Sequence, residues 1–158
     1  MRVDLYEKVW IALSLLMLLG FLGAISVSVF VHGISLPGAE QRIDPKTVVN
    51  EPPFATPGIR ETGPGEYEVY LLSMVWSFVP NEIRVPAGAR VTFHATSRDV
   101  THGFTIHGTN LNLMLIPGLV ATGTATFNKP GEYLFICHEY CGLAHQTMAG
   151  KVIVEEKS

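Results

Sequence analysis

The sequence is poor in cysteine and in charge, and both shortages limit what the protein can be. Of its 158 residues only two are cysteines, so a disulfide framework does not organise the fold. Charged residues make up 16% of the chain, where about a quarter is usual, which indicates a segment outside water. The net charge of −3 lacks the basic excess of nucleic-acid-binding domains, so no nucleic-acid partner is expected.

One long uncharged run lies near the N-terminus. Residues 9–31 carry no charged side chain, and a helix of that length exceeds the ~30 Å hydrocarbon core of a lipid bilayer. The run is longer than the roughly 7–15 apolar residues of a cleaved signal peptide, and no small-residue cleavage site follows it. The sequence therefore predicts a retained transmembrane helix over residues 9–32, preceded by a short segment, residues 1–8.

Basic residues flank this run on one side only. Arg2 and Lys8 precede it, and the next basic residue after it is Arg42. Because short cytoplasmic segments carry an excess of Lys and Arg, residues 1–8 are expected in the cytoplasm and the remainder of the chain outside it.

Proline marks the stretch that follows. Six of the ten prolines lie between residues 33 and 65, and proline lacks the backbone donor that helices and central strands need. This stretch is predicted to be an extended linker.

Short β-type segments dominate the sequence from residue 66 onward. They are rich in β-branched and aromatic residues and are separated by turns containing Pro and Gly, a pattern typical of an antiparallel sandwich or barrel. A single β domain is predicted over residues 66–158. Its strands are expected at residues 66–75, 83–85, 90–97, 111–116, 121–127, 132–137 and 151–155.

Soft metal ligands are concentrated near the C-terminus. Cys137, Cys141, His145 and Met148 fall within twelve residues, and thiolate and thioether ligands together with imidazole favour copper. The strands predicted on both sides would anchor the loop and fix its ligands. A mononuclear blue-copper site uses one cysteine, whereas two thiolates could bridge two copper ions, each of which then needs a histidine.

Three other interpretations of this loop explain fewer of its residues. A disulfide between Cys137 and Cys141 would close a very small loop, add little stability and leave His145 and Met148 without a role. A tetrahedral zinc site has little use for a thioether, and the spacing is not that of a zinc finger. The third interpretation is coincidence, with Met148 in the core and His145 on the surface.

The second histidine has to come from another part of the chain. His102 follows the strand predicted at residues 90–97, and Gly103 beside it permits an unusual backbone conformation. The ordinary role of an isolated histidine would be that of a surface-loop residue. The remaining histidines are predicted not to bind metal: His32, His94, His107 and His138.

The combined pattern resembles a known family. C-x-x-x-C-x-x-x-H-x-x-M follows a Pro-Gly-Glu-Tyr turn, and D-V-x-H-G-F lies upstream; both resemble subunit II of haem-copper cytochrome c oxidases, most closely the short subunit II of B-type oxidases. The resemblance implies an all-β cupredoxin-like Greek-key sandwich or barrel with one N-terminal transmembrane α-helix. It also implies a single-pass protein of the prokaryotic cell (inner) membrane, with its C-terminal domain on the periplasmic side.

The resemblance also implies a ligand set for two copper ions, a binuclear CuA centre. Cys137 and Cys141 would bridge the two ions. His102 and Met148 would complete one copper. The other would be completed by His145 and the backbone carbonyl of Glu139.

A role in electron transfer follows from the same resemblance. Electrons would come from cytochrome c and pass to haem in subunit I, where oxygen is reduced to water, so the chain would be part of an oxidoreductase. Trp76 is a candidate for the point where electrons enter, the alternative being a core aromatic residue. A nitric-oxide reductase subunit and a copper-delivery protein are the competing functions; a quinol oxidase subunit would lack the copper ligands.

Overall fold

The computed structural model describes residues 4–31 and 41–156. These residues separate into two compact units, the first containing the N-terminal helix and the second beginning at the strand that includes Gln41. His32, which was predicted not to bind metal, and the first part of the predicted linker lie outside the described residues.

The first unit consists of helix α1, Leu5–Phe30. It starts before the predicted residue 9 because Asp4 and Glu7 form a capping box: the Glu7 N–H donates to Asp4 Oδ1 (3.0 Å) and the Asp4 N–H to Glu7 Oε2 (3.2 Å). The 26-residue helix has a mean hydropathy of 2.3 and none of its side chains is buried within the protein. Its length and composition suit a membrane span.

The second unit is a sandwich of two β sheets. The first sheet has the order β1-β9-β6-β3-β2, with β4 also pairing with β3; the second has the order β5-β11-β10-β7-β8. The strands are β1 Gln41–Arg42, β2 Gly58–Gly63, β3 Glu66–Met74, β4 Ser77–Val79, β5 Glu82–Pro86, β6 Ala89–Ser97, β7 His102–Ile106, β8 Asn112–Leu115, β9 Leu119–Phe127, β10 Gly131–Ile136 and β11 Ala149–Glu155. Two 3₁₀ turns, Val48–Asn50 and His145–Thr147, complete the regular structure of the described residues.

Most strand pairs are antiparallel, as the sequence pattern predicts, but two pairs are parallel. Strand β3 pairs in parallel with β6, and β5 pairs in parallel with β11. After β3 the chain crosses to the second sheet to form β5 and then returns, so β6 runs in the same direction as β3. The sequence pattern shows where strands lie but not when the chain changes sheets.

The structure has a strand at each predicted strand position, with ends that differ by up to two residues. It adds β1, β2, β4 and β7. Strand β2 lies inside the predicted linker. Among the described residues it pairs with β3 and forms an edge of the first sheet, which is where neighbouring prolines are tolerated. Val48 and Phe54, also in that stretch, are buried against the outer face of the first sheet. Residues 41–63 therefore belong to the β domain.

The core between the sheets contains a cluster of phenylalanines. The ring of Phe104 packs against those of Phe78, Phe93 and Phe135, with centroids 5.1–5.5 Å apart. Cys137 and Met148 belong to the same buried cluster. The ligand loop thus lies at one end of the core and is supported by rigid aromatic packing.

Candidate metal centre

Strand register brings the two ends of the ligand loop together. In the β10–β11 pair Ile136 lies opposite Ala149, and the next residues inward continue the ladder because the Cys137 N–H donates to the Met148 carbonyl (3.1 Å). The loop leaves β10 at Cys137 and rejoins β11 after Met148. Hydrogen bonds between β10 and β11 therefore fix Cys137 and Met148, the first and last predicted ligands of the loop, relative to each other.

Both thiols face one point in the interior. Cys137 Sγ and Cys141 Sγ lie 3.8 Å apart, and both cysteines are free, which does not support the disulfide interpretation. His102 Nδ1 lies 3.8 Å from Cys137 Sγ, and the Glu139 carbonyl oxygen lies 3.2 Å from the same sulfur. Ligand atoms of His102, Cys137 and Cys141 all fall within 4.8 Å of one another.

The other two predicted ligands approach the second thiol. His145 Nδ1 lies 3.5 Å and Met148 Sδ 3.7 Å from Cys141 Sγ. The structure therefore brings together every atom of the predicted ligand set, including the Glu139 carbonyl. Thiols, imidazoles and a thioether in one cluster form a donor set that suits copper.

The two histidines differ in their surroundings. His102 is fully buried, whereas His145 is half-buried in the 3₁₀ turn and meets the edge of the exposed Tyr140 ring, with centroids 5.8 Å apart. His102 begins β7 and is fully buried, which does not support the alternative that it is a surface-loop residue. Phe104, the last residue of the D-V-x-H-G-F pattern, is fully buried in the core and orients this strand. The pattern contains this residue, but it does not show that its side chain is part of the core.

An acidic residue that the sequence reasoning did not single out contacts His102. Asp99 Oδ1 lies 2.9 Å from His102 Nε2. Burial acts to raise the pKa of Asp99, but hydrogen bonds from His102 and from the backbone N–H groups of Val75 and Val100 outweigh it and hold the pKa below its usual value. The position of Asp99, three residues before His102 in the sequence, was the signal that could have predicted this contact.

The thiol of Cys141 is protonated in the metal-free protein at neutral pH. Burial raises its pKa to about 11, and the neighbouring thiol of Cys137 adds to the effect. Copper binds thiolates, so metal binding at this site has to release protons.

Trp76 lies beside the ligand loop. Its side chain is 41% exposed, so it is not a core aromatic residue; Phe78, two positions later, is the buried one. A Cβ atom placed on Gly142 would lie 3.1 Å from Trp76 Nε1, and Gly142 directly follows Cys141. The indole therefore covers the loop next to one of the thiols.

The remaining described histidines lie away from this cluster or face out of it. His94 is in β6 on the first sheet, where its Nδ1 lies 3.2 Å from Thr122 Oγ1 and its ring stacks on Tyr70. His107 follows β7 and is exposed. The ring of His138 packs against Gly103, and its Nδ1 lies 3.6 Å from a carboxylate oxygen of Glu139.

Comparison with known sequences points to one family. Residues 69–156 match the family model described as the periplasmic domain of cytochrome c oxidase subunit II. Cytochrome c oxidase subunit 2 from Thermus thermophilus is 46% identical over 155 residues, covering 96% of this chain and 92% of that protein.

Solved structures agree with the sequence comparison. A chain in a cryo-EM structure of a haem-copper terminal oxidase dimer superposes with a TM-score of 0.77 at 37% identity, covering 95% of this chain and 99% of that one. The periplasmic domain of cytochrome oxidase subunit II from Bradyrhizobium japonicum gives a TM-score of 0.53 at 21% identity, with 57% of this chain and 84% of that chain covered. The latter likeness confirms the cupredoxin-like fold.

Proposed function

The chain belongs to the cytochrome c oxidase subunit II family and receives electrons for a haem-copper terminal oxidase, and we propose that it does so at a binuclear CuA centre. As a subunit of such a complex it is a copper-binding component of an oxidoreductase and has partner subunits. These assignments favour the oxidase over the nitric-oxide reductase and copper-delivery alternatives.

One observation carries the proposal of a binuclear centre. The two thiols lie 3.8 Å apart. His102 Nδ1, from β7, lies 3.8 Å from Cys137 Sγ, and His145 Nδ1, from the ligand loop, lies 3.5 Å from Cys141 Sγ. Two thiolates can bridge two metal ions, and two histidines provide one terminal nitrogen for each. The assignment of His102 and Met148 to one ion, and of His145 and the Glu139 carbonyl to the other, rests on the family resemblance.

The protein holds the ligands in place and keeps water away from His102, the two thiols and the thioether. Cys137, Cys141 and Met148 are 6% exposed or less, and the ladder at the loop's base limits their movement. When bound, copper supplies one-electron transfer. Ligands that move little and a surrounding that excludes solvent reduce the reorganisation that accompanies such a transfer.

The proposed electron donor is a cytochrome c, and Trp76 is proposed as the point where electrons enter. The indole is partly exposed and packs against the residue next to Cys141. Tyr140 and Leu143, at 80% and 86% exposure, place further apolar surface on the same loop. Electrons would leave toward haem in subunit I, with His145 as the ligand nearest to that side.

The proposed topology is a single pass through the bilayer. Residues 1–8 would lie in the cytoplasm, residues 9–32 in the prokaryotic cell (inner) membrane, and the β domain on the periplasmic side. Helix α1 supports this arrangement because it is uncharged after Lys8. Attachment of a reporter that is active only outside the cytoplasm is expected to give signal after residue 158 and none before residue 1.

Copper content and EPR spectroscopy of residues 37–158 test the metal centre. The unit containing these residues is compact by itself, and reconstitution is expected to give two copper ions per chain. An electron shared by two copper nuclei gives a seven-line hyperfine pattern, whereas one copper gives four lines. One ion with four lines, or no bound copper after reduction and anaerobic loading, would contradict the proposal.

Two histidines of the same loop provide a matched pair of variants. His145→Ala removes a nitrogen 3.5 Å from Cys141 Sγ, so the seven-line signal is expected to be lost. His138→Ala removes a ring that packs outside the thiol pair, against Gly103, so two copper ions and the signal are expected to remain. Loss of the signal in both variants would mean that the loop, and not the ligand, was disturbed.

A further inference from the structure

Asp99 joins two parts of the site through its two carboxylate oxygens. Oδ1 lies 2.9 Å from His102 Nε2, and Oδ2 accepts the backbone N–H of Val75 at 2.7 Å. The first contact is to a proposed metal ligand. The second is to the residue that directly precedes Trp76.

The carboxylate is held firmly in this orientation. Oδ1 also accepts the Val100 N–H (2.7 Å) and lies 3.3 Å from the hydroxyl of Ser97, which receives the Asp99 N–H at 3.2 Å. Ser97 is fully buried at the end of β6. With this many partners Asp99 cannot turn away from His102 without leaving donors unpaired.

The contact with Asp99 determines which nitrogen of His102 faces the thiols. A carboxylate accepts a hydrogen bond, so the proton of the neutral ring lies on Nε2. Nδ1, which is 3.8 Å from Cys137 Sγ, then carries a lone pair. Such a carboxylate fixes the tautomer of a metal-binding histidine and makes it a stronger donor.

The contact with Val75 connects Asp99 to the surroundings of the other thiol, that of Cys141. Val75 and Trp76 form the turn between β3 and β4, and the indole of Trp76 lies over Gly142, next to Cys141. One carboxylate is therefore connected to Cys137 through His102 and to Cys141 through Trp76. The two links depend on different atoms of the same side chain.

We propose that Asp99 is a positioning residue that holds His102 as a metal ligand and, at the same time, fixes the Trp76 turn against the ligand loop. The inference rests on the proposed copper centre for its first half. The second half concerns contacts within the protein alone. Trp76 and His102 are thus coupled, and a change at Asp99 is expected to alter both.

The substitution Asp99→Asn tests the contacts with His102 and Val75 without a change in the size of the side chain. Asparagine has one acceptor oxygen where aspartate has two, and its NH₂ group would face a second donor at either His102 or Val75. While His102 Nε2 carries its proton, as binding of a metal at Nδ1 requires, at least one of the two hydrogen bonds is lost, together with the negative charge. Asp44→Asn is the matched control, because Asp44 is an exposed carboxylate that accepts only the Lys46 N–H among the described residues (2.9 Å).

Four measurements on the full chain in detergent decide the proposal. In Asp99→Asn, competition with a copper(I) chelator is expected to show about 10–100-fold weaker binding. The reduction potential is expected to rise because a negative charge near the oxidised centre is removed, and the EPR hyperfine pattern is expected to become unequal between the two ions. In metal-free protein carrying Trp10→Phe, Trp76 is the remaining tryptophan, and its emission is expected to shift to longer wavelength.

The outcomes separate this inference from the proposed function. The inference would be overturned if Asp99→Asn kept the wild-type copper(I) affinity, reduction potential and Trp76 emission. It would also be overturned if Asp44→Asn changed these quantities as much as Asp99→Asn does. If the wild-type chain binds no copper, the proposed function fails, and the Trp76 emission alone decides the link to the turn. Asp99→Glu keeps both acceptors on a longer side chain and is expected to give intermediate values; should Asp99→Asn not fold, wild-type values in Asp99→Glu would overturn the proposal.

Discussion

The indole of Trp76 packs over the α-carbon of Gly142, so an exposed aromatic ring directly covers the ligand loop. A Cβ atom at Gly142 would lie 3.1 Å from Trp76 Nε1, and the φ angle of +120° at Gly142 suits glycine and few other residues. The contact joins the turn between β3 and β4 to the residue after Cys141. It gives a structural basis for the predictions on electron transfer.

Replacing Trp76 with alanine is expected to slow electron transfer without loss of copper. The reduction rate of the centre by cytochrome c should fall about tenfold or more, the effect of removing a tryptophan anchor from an interface, while the EPR signal of the metal stays. Stopped-flow oxidation of reduced cytochrome c by the assembled oxidase measures this rate. Trp76→Phe keeps an aromatic ring and should retain more of the rate; an unchanged rate in Trp76→Ala would remove the proposed role.

Replacing Gly142 with alanine is expected to strain the backbone and displace Trp76. The φ angle alone should cost about 1–3 kcal/mol of unfolding free energy. Gly88→Ala is the matched control, because Gly88 has φ +88° but nothing within 4 Å of an added Cβ. Urea unfolding is expected to show a loss in both variants, whereas the emission of Trp76 should change in Gly142→Ala only; a change in both would argue against the contact.

Replacing Gly103 with alanine is expected to disturb the ligand loop through His138. The added Cβ would lie 2.5–2.6 Å from three atoms of the His138 ring, and overpacking of this kind costs about 1–3 kcal/mol. Gly63→Ala, whose nearest contact would be 3.9 Å away, serves as the control. The double variant Gly103→Ala/His138→Ala should recover most of the lost stability in urea unfolding, and failure to do so would show that the clash lies elsewhere.

The thiol of Cys141 is expected to ionise only at high pH in the metal-free protein. Its pKa is raised to about 11, first by burial and then by Cys137. The fraction of thiolate should therefore stay small at pH 8 and grow as the pH approaches 11. In Cys137→Ser the pKa should be lower than in the wild type but still above that of an ordinary thiol, because burial remains.

Ultraviolet absorbance of the thiolate measures this titration. The spectrum of Cys137→Ser is compared with that of Cys137→Ser/Cys141→Ser, so that the ionisation of tyrosines cancels. An ordinary thiol pKa for Cys141 would contradict the prediction. Because a raised pKa favours the protonated folded form, the metal-free domain is also expected to lose stability as the pH rises from the ordinary thiol pKa toward 11.

The membrane anchor and the strand positions could be predicted because they depend on local patterns. A long uncharged run and alternating apolar residues between turns have the same meaning in any context. The edge strand β2 and the buried Phe54 could not be predicted from the prolines around them. Strand β2 is held by its pairing with β3. Phe54 is buried against the outer face of the first sheet, where Leu72 and Val120 from later parts of the chain contact the same cluster.

The chemistry proposed for the site could be inferred from the sequence, because four candidate ligands lie within one loop and their spacing is visible along the chain. How the rest of the chain completes that loop depends on the tertiary structure. His102 reaches Cys137 because β7 lies beside β10, and Asp99 reaches Val75 because β6 lies beside β3. Trp76, between β3 and β4, covers Gly142 in the loop between β10 and β11. These contacts depend on pairing between distant segments, and the local sequence carries no record of such pairing.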